Sequence, residues 1–133
     1  MLLGTKGEEA VCRNIAHGSR SPVVVVTGVS LGVTMALIAD AELLVANDSG
    51  PLHLAAALGR PLVGIYGPTE PGRVGPWGNA RWVVRENSDC AVCRSSTPRR
   101  RVGHTCLTNL PVARVLSLAE AALAEGAPAE QCA

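Results

Sequence analysis

Aromatic residues are nearly missing from this chain, which has no Phe, one Tyr and two Trp in 133 residues. A module that binds single-stranded nucleic acid needs rings on which bases can stack, so that class loses its platform. An excess of one charge is missing too. Twelve basic side chains stand against eleven acidic ones, giving a formal net charge of +1, and no whole-protein field draws the chain to polyanions. Any anion binding is therefore local, no nucleic-acid partner is expected, and Arg99-Arg100-Arg101 reads as a solvated run. There is no secretory signal, and the five cysteines at 12, 90, 93, 106 and 132 are odd in number. Both features argue against a disulfide scaffold and for a reducing cytoplasm.

The uncharged stretch Pro22 to Ala39 reaches the lower length limit of a membrane span. Thr27, Gly28, Ser30, Gly32 and Thr34 interrupt it, so it reads better as a strand, a turn and a helix in succession. The hydrophobic fraction of 47% with 17% charged residues fits an ordinary globular protein, and 14 Gly with 9 Pro predict many turns. The expected organisation is one domain over residues 1–125 with a frayed tail at 126–133.

Short apolar runs alternate with helix-like segments. Met1 to Gly4 reads as a strand, Glu8 to about His17 as a helix, and Val23 to Val26 as a second strand. Ser30 caps a helix to about Ala39, Leu43 to Ala46 form a third strand, and a helix from Gly50 to Leu58 is stopped by Gly59. Leu62 to Ile65 form a fourth strand and Arg81 to Val84 an edge strand. Pro111 opens a helix with Val112, Val115, Leu116, Ala119 and Leu123 on one face. Gly67 to Asn79 and residues 85–109 read as loops. Continuously apolar strands separated by helices predict an α/β fold, a Rossmann-like three-layer domain with a parallel sheet.

In such sheets ligands bind beyond the carboxyl ends of the strands, where helix N-termini offer unpaired N–H groups. Asn47-Asp48-Ser49-Gly50-Pro51-Leu52-His53 lies there. Gly50 permits close approach, and Pro51 suits a first helical turn because its missing N–H forfeits no internal bond. The N–H groups of Ser49, Gly50, Leu52 and His53, with the Ser49 hydroxyl and the His53 ring, are expected to favour a phosphate. A carboxylate beside a diphosphate is unfavourable, which assigns Asp48 to sugar hydroxyls or to bracing the loop. By spacing alone the turn is also simply a good helix start.

The run Val45-Ala46-Asn47-Asp48-Ser49-Gly50-Pro51-Leu52-His53-Leu54-Ala55-Ala56-Ala57-Leu58-Gly59-Arg60-Pro61, with Tyr66-Gly67-Pro68-Thr69-Glu70-Pro71-Gly72-Arg73-Val74-Gly75-Pro76, closely resembles glycosyltransferase family 9, the lipopolysaccharide heptosyltransferases. The resemblance implies the C-terminal, donor-binding half of a GT-B fold, in an enzyme that transfers heptose or a related sugar from a nucleotide diphosphate sugar with inversion. It implies donor contacts at Asp48, Ser49, Gly50 and His53, ribose contacts at Glu8, and Thr69 and Arg73 in the second loop, where Arg73 neutralises the leaving diphosphate. It implies no cofactor, an ADP-sugar or similar substrate, a lipopolysaccharide-core or glycan acceptor, and a cytoplasmic place with peripheral association at the inner membrane.

Members of that family also carry an N-terminal acceptor domain, and the chain opens inside what corresponds to the second strand of the donor domain. The general base belongs to the absent domain, so no catalytic residue is assigned. A truncated, non-catalytic nucleotide-binding module is the alternative. Cys90, Cys93, His104 and Cys106 are weak metal candidates, since the first pair has a zinc-like spacing but no second C-x-x-C follows. Cysteines packing a loop are the other reading of that segment.

Overall fold

The first four strands end where an apolar run meets a Gly or Asn, and the helices begin shortly beyond. The computed structural model describes residues 1–86 and 105–126 and divides the chain into two units, Met1–Leu37 and Ile38–Ala133.

In the first unit, strand β1 (Leu2–Gly4) pairs in parallel with β2 (Val25–Thr27), in the register Leu2 with Val25 and Gly4 with Thr27. Between them run a 3-10 turn (Lys6–Glu8) and helix α1 (Glu9–Gly18). Gly4 is small for a reason: a Cβ there would stand 3.2 Å from the Cys12 sulfur of α1, which is buried. Gly28 takes a left-handed φ of 67° just beyond β2, and its N–H donates to the Gly4 carbonyl at 3.1 Å. Helix α2 (Leu31–Ala39) follows with the expected cap, as Ser30 Oγ accepts from the Val33 N–H at 3.4 Å. The uncharged stretch is thus a strand and a nine-residue helix. No helix among the described residues is long and apolar enough to cross a membrane.

The second unit is built on three parallel strands in the order β3 (Leu44–Asn47), β4 (Leu62–Tyr66), β5 (Val83–Arg85). Helix α3 (Gly50–Ala57) joins β3 to β4, and Gly59 ends it at φ 63°. The long helix α6 (Val112–Glu125) returns over β4 and β5. Strand β4 is covered on both faces. Val63 and Ile65 pack with Val84, Val115, Leu118, Ala119 and Ala122, whereas Gly64 and Tyr66 face Leu52 of α3. That arrangement explains why the strand is apolar throughout instead of alternating. Leu52, Leu62, Val63 and Tyr66 are fully buried, and each such side chain contributes about 1.5–3 kcal/mol of transfer free energy.

The α/β expectation with parallel strands holds, and several local readings are corrected. The face of α6 that packs is Val115, Leu118, Ala119 and Ala122, whereas Val112, Leu116 and Leu123 are exposed. The expected stripe was rotated towards the largest residues, while a close approach to the sheet takes the alanines. The loop 67–79 holds a short helix α4 (Pro71–Val74), started by the fixed φ of Pro71. Within the segment read as a loop up to residue 109, Thr105–Thr108 form helix α5. A 3-10 turn (Ala80–Trp82) precedes the edge strand. Gly126 caps α6 by donating to the Ala122 carbonyl at 3.2 Å, and the rest of the expected frayed tail lies outside the described residues.

Candidate functional site

The carboxyl ends of β3 and β4 lie side by side. Asn47 pairs with Ile65, and the ladder runs one residue further, with the Asp48 N–H donating to the Ile65 carbonyl at 3.1 Å. That last bond sets Asp48 beside the end of β4, where Tyr66 closes the strand. The two sequence motifs are therefore neighbours in space because their strands are neighbours in the sheet.

At the first motif the chain turns directly into α3. Ser49 is the N-cap residue, with extended φ and ψ of −160° and 165°, yet its side chain makes no cap hydrogen bond. Its hydroxyl instead donates back to the Asn47 carbonyl at 2.9 Å. The helix mouth is thus left uncapped, and the N–H groups of Ser49 and Gly50 have no acceptor among the described residues. Pro51 occupies the first turn, as expected. The expectation for Leu52 is corrected: its N–H donates to the Ser49 carbonyl at 3.1 Å, because the first turn tightens to an i to i+3 bond, and it does not face a ligand.

Asp48 and His53 converge, with His53 Nε2 3.9 Å from Asp48 Oδ1. This is a charge contact only when the imidazole is protonated. The Asp48 side chain is 23% exposed and that of His53 46%, so the ring remains open to a ligand while the carboxylate is largely covered. Next along β4 from the Ile65 carbonyl that Asp48 bonds stands Tyr66, a residue to which sequence reasoning gave no role. The Tyr66 hydroxyl donates to the Val74 carbonyl at 3.2 Å. Burial pushes this hydroxyl up to about 12 from its ordinary 10.0, and the charge of Asp48 pushes the same way. A sequence signal was present in the lone tyrosine, a residue with a polar tip ending an otherwise apolar strand.

The second motif is clamped. The Tyr66 hydroxyl holds Val74 of α4, Glu70 accepts from Arg85 at 2.7 Å, and Gly67 fits against Cys106 and Leu107 of α5, where a Cβ would approach within 3.3 Å. Thr69 and Arg73 stay exposed on this loop. Arg73 makes no ion pair among the described residues, whereas Arg81, Arg85 and Arg114 pair with Glu125, Glu70 and Glu86.

Glu8 lies in the first unit, with its Oε2 accepting from both the N–H and the hydroxyl of Thr5 at 2.7 Å. Those two bonds, the hydroxyl's first, hold the carboxyl below its ordinary 4.5. The local device is a capping box over the 3-10 turn, and it leaves Oε1 for another donor. Of the metal candidates, Cys90, Cys93 and His104 lie outside the described residues, as does Arg99 to Arg101. Cys106 is a buried free thiol packed on Gly67. No cluster of three metal-ligating side chains occurs among the described residues.

An uncapped helix mouth, a covered carboxylate and an unpaired arginine on a clamped loop suit an anionic ligand that also carries hydroxyls. Comparison with known proteins adds the decisive observation, since the profile of glycosyltransferase family 9 (heptosyltransferase) matches residues 1–102. The chain belongs to that family. It is 38% identical over 78 residues to lipopolysaccharide heptosyltransferase 2 of Escherichia coli, an alignment covering 59% of this chain and 20% of the relative. Among solved structures it superposes on E. coli ADP-heptose lipopolysaccharide heptosyltransferase II with a TM-score of 0.74 at 28% identity, covering 93% of this chain and 36% of that one. An E. coli heptosyltransferase solved with ADP gives a TM-score of 0.68 at 29% identity, with 91% and 32% covered. The family 9 chain thus spans a fifth of that curated relative and about a third of those solved chains, and its α/β fold matches part of each.

Proposed function

We propose that this chain is the donor-binding part of a nucleotide-sugar glycosyltransferase, corresponding to the C-terminal half of a GT-B enzyme that acts on a lipopolysaccharide-type acceptor at the cytoplasmic face of the inner membrane. The observation that carries the reading is the open mouth of α3, where the unpaired N–H groups of Ser49 and Gly50 adjoin the His53 ring and the Asp48 carboxylate. Backbone donors at the positive end of a helix take a phosphate oxygen, and each good contact contributes about 1 kcal/mol or more. Asp48 accepts from sugar hydroxyls, since a carboxylate set beside the diphosphate itself would be unfavourable. His53 donates to the diphosphate, Thr69 offers it a hydroxyl, and Arg73 compensates the charge that develops on the departing nucleotide. The proposed contact of Glu8 is with vicinal ribose hydroxyls.

Calorimetric titration of the 133-residue chain with ADP tests this reading. Saturable one-to-one binding that Asp48→Ala or His53→Ala weakens supports it, and no binding at millimolar ADP refutes it. Incubating the chain with a nucleotide sugar and acceptor separates the two functional classes. Sugar transfer by the chain alone makes it an enzyme in its own right, whereas binding without transfer makes it a non-catalytic nucleotide-binding module.

A further inference from the structure

Helix α4 is a single turn, Pro71–Val74, far below the length at which a helix sustains itself in water. Whatever keeps Arg73 in place therefore comes from outside the turn, and two holds are present. At the start, the Glu70 carbonyl accepts from the N–H groups of Arg73 at 3.0 Å and Val74 at 3.3 Å, while the Glu70 carboxylate accepts from the Arg85 guanidinium at 2.7 Å. At the far end, the Val74 carbonyl accepts from the Tyr66 hydroxyl at 3.2 Å. Arg73 lies between the two fastened residues, with its own side chain exposed.

Both holds come from one rung of the sheet. Tyr66 of β4 pairs in register with Arg85 of β5, and residues opposite one another project from the same face, so the two side chains reach α4 together. Each is anchored from behind. The Tyr66 ring is fully buried against Gly64, and the Arg85 carbonyl accepts from Arg114 of α6 at 3.2 Å, which also donates to Glu86 at 2.9 Å. The Arg85 side chain is 24% exposed, against 63% for Arg81 and 50% for Arg114, which sets its ion pair with Glu70 apart from the solvated ones.

We infer that Tyr66 and Arg85 are positioning residues for Arg73: one rung of the β4–β5 ladder fixes both ends of α4 and so presents the Arg73 guanidinium to a donor's diphosphate before the donor arrives. The role rests on the donor reading of Arg73, and it acts through Glu70 and Val74, not through the ligand. A preformed arm loses less freedom on binding than one the ligand must order. The role also accounts for a tyrosine where phenylalanine would fill the same space.

Tyr66→Phe keeps the ring packing and removes one hold, and Arg85→Met keeps the stem and removes the other. In the ligand-free 133-residue chain, amide-nitrogen relaxation of Arg73 and Val74 is expected to give order parameters of about 0.85, as for rigid backbone. Either variant is expected to lower them while α3 keeps its values, and unchanged order in both variants overturns the inference. Calorimetry with ADP reads the consequence. Each variant is expected to weaken ADP binding about three- to fivefold, the reciprocal of the fraction of time the loop stays in place, which is below the roughly tenfold loss expected from removing Arg73 itself. In an Arg73→Ala background the same substitutions are expected to cost no further affinity. Losses that persist undiminished there overturn the positioning role, because a merely structural defect does not depend on Arg73. If the wild-type chain binds no ADP, the donor reading falls and the presentation to a diphosphate falls with it. The relaxation of the free chain still decides separately whether the rung holds α4.

Discussion

Gly64→Ala tests the packing on which the site stands. The residue lies in the middle of β4, opposite Ala46 and Val83, and alanine has no backbone difficulty there. The difficulty is the space: a Cβ would sit 2.9 Å from Leu52 Cδ2 and 3.0 Å from Tyr66 Cε2. Neither neighbour can move freely, because both are fully buried. Overpacking of this kind costs about 1–3 kcal/mol, and replacing a strand glycine recovers about 0.5–1 kcal/mol. The net expectation is a destabilisation of about 1–2 kcal/mol. Both tryptophans, Trp77 and Trp82, belong to the second unit, so urea unfolding followed by their fluorescence reads the right part of the chain. In a Leu52→Ala background the added methyl occupies vacated volume, and the two substitutions should deviate from additivity by about 1 kcal/mol or more. A Gly64→Ala protein as stable as wild type, or additive effects in the double variant, would refute the account of why this strand carries a glycine.

Three further outcomes follow from the geometry. Tyr66 keeps its proton in the folded state up to about pH 12 but loses it near 10 when unfolded. Its contribution to stability is therefore intact below pH 10 and declines as pH rises from there to about 12, and Tyr66→Phe should flatten that decline in denaturant titrations. Glu8 shows the opposite sign, because its folded carboxyl lies below the ordinary 4.5. Its stabilisation is present above pH 4.5 and disappears as pH falls through the folded value, so Glu8→Gln should remove part of the acid sensitivity of residues 1–37 seen by amide NMR. Arg73→Ala should weaken ADP binding about tenfold, near the lower end for a charge-assisted contact, and leave the fluorescence-detected unfolding midpoint unchanged. A fall in that midpoint would assign Arg73 to the loop's architecture.

Much of the fold was legible because its signals are local. The break after each apolar run located β1 to β4, Ser30 announced the start of α2, and Gly59 with its left-handed φ marked the end of α3. The helix mouth was legible for the same reason, since Asp48 to His53 is a continuous segment whose chemistry depends on being a first turn. Readings that required knowledge of a partner surface fared worse. The packed face of α6 was misassigned because large side chains suggest burial, while the sheet accepts the alanines at 119 and 122. The Leu52 N–H was assigned to a ligand because its acceptor, the Ser49 carbonyl, depends on how tightly the first turn closes.

The place of Tyr66 at the sheet edge was hidden for a deeper reason. A strand with one wet face declares by alternation which residues point to the core, and a register slip of one residue would then expose them. Strand β4 carries no such mark, because α3 covers one face and α6 the other, so its apolar sequence is equally consistent with Tyr66 on either side. The ladder decides it. Pairing Asn47 with Ile65 and Tyr66 with Arg85, together with the extra bond from the Asp48 N–H, sets the ends of three strands in one row. Asp48, Tyr66 and Arg85 then stand at that edge, and the last two hold the second motif through Val74 and Glu70. The two motifs read as adjoining segments of sequence, but their adjacency in space is a property of the sheet.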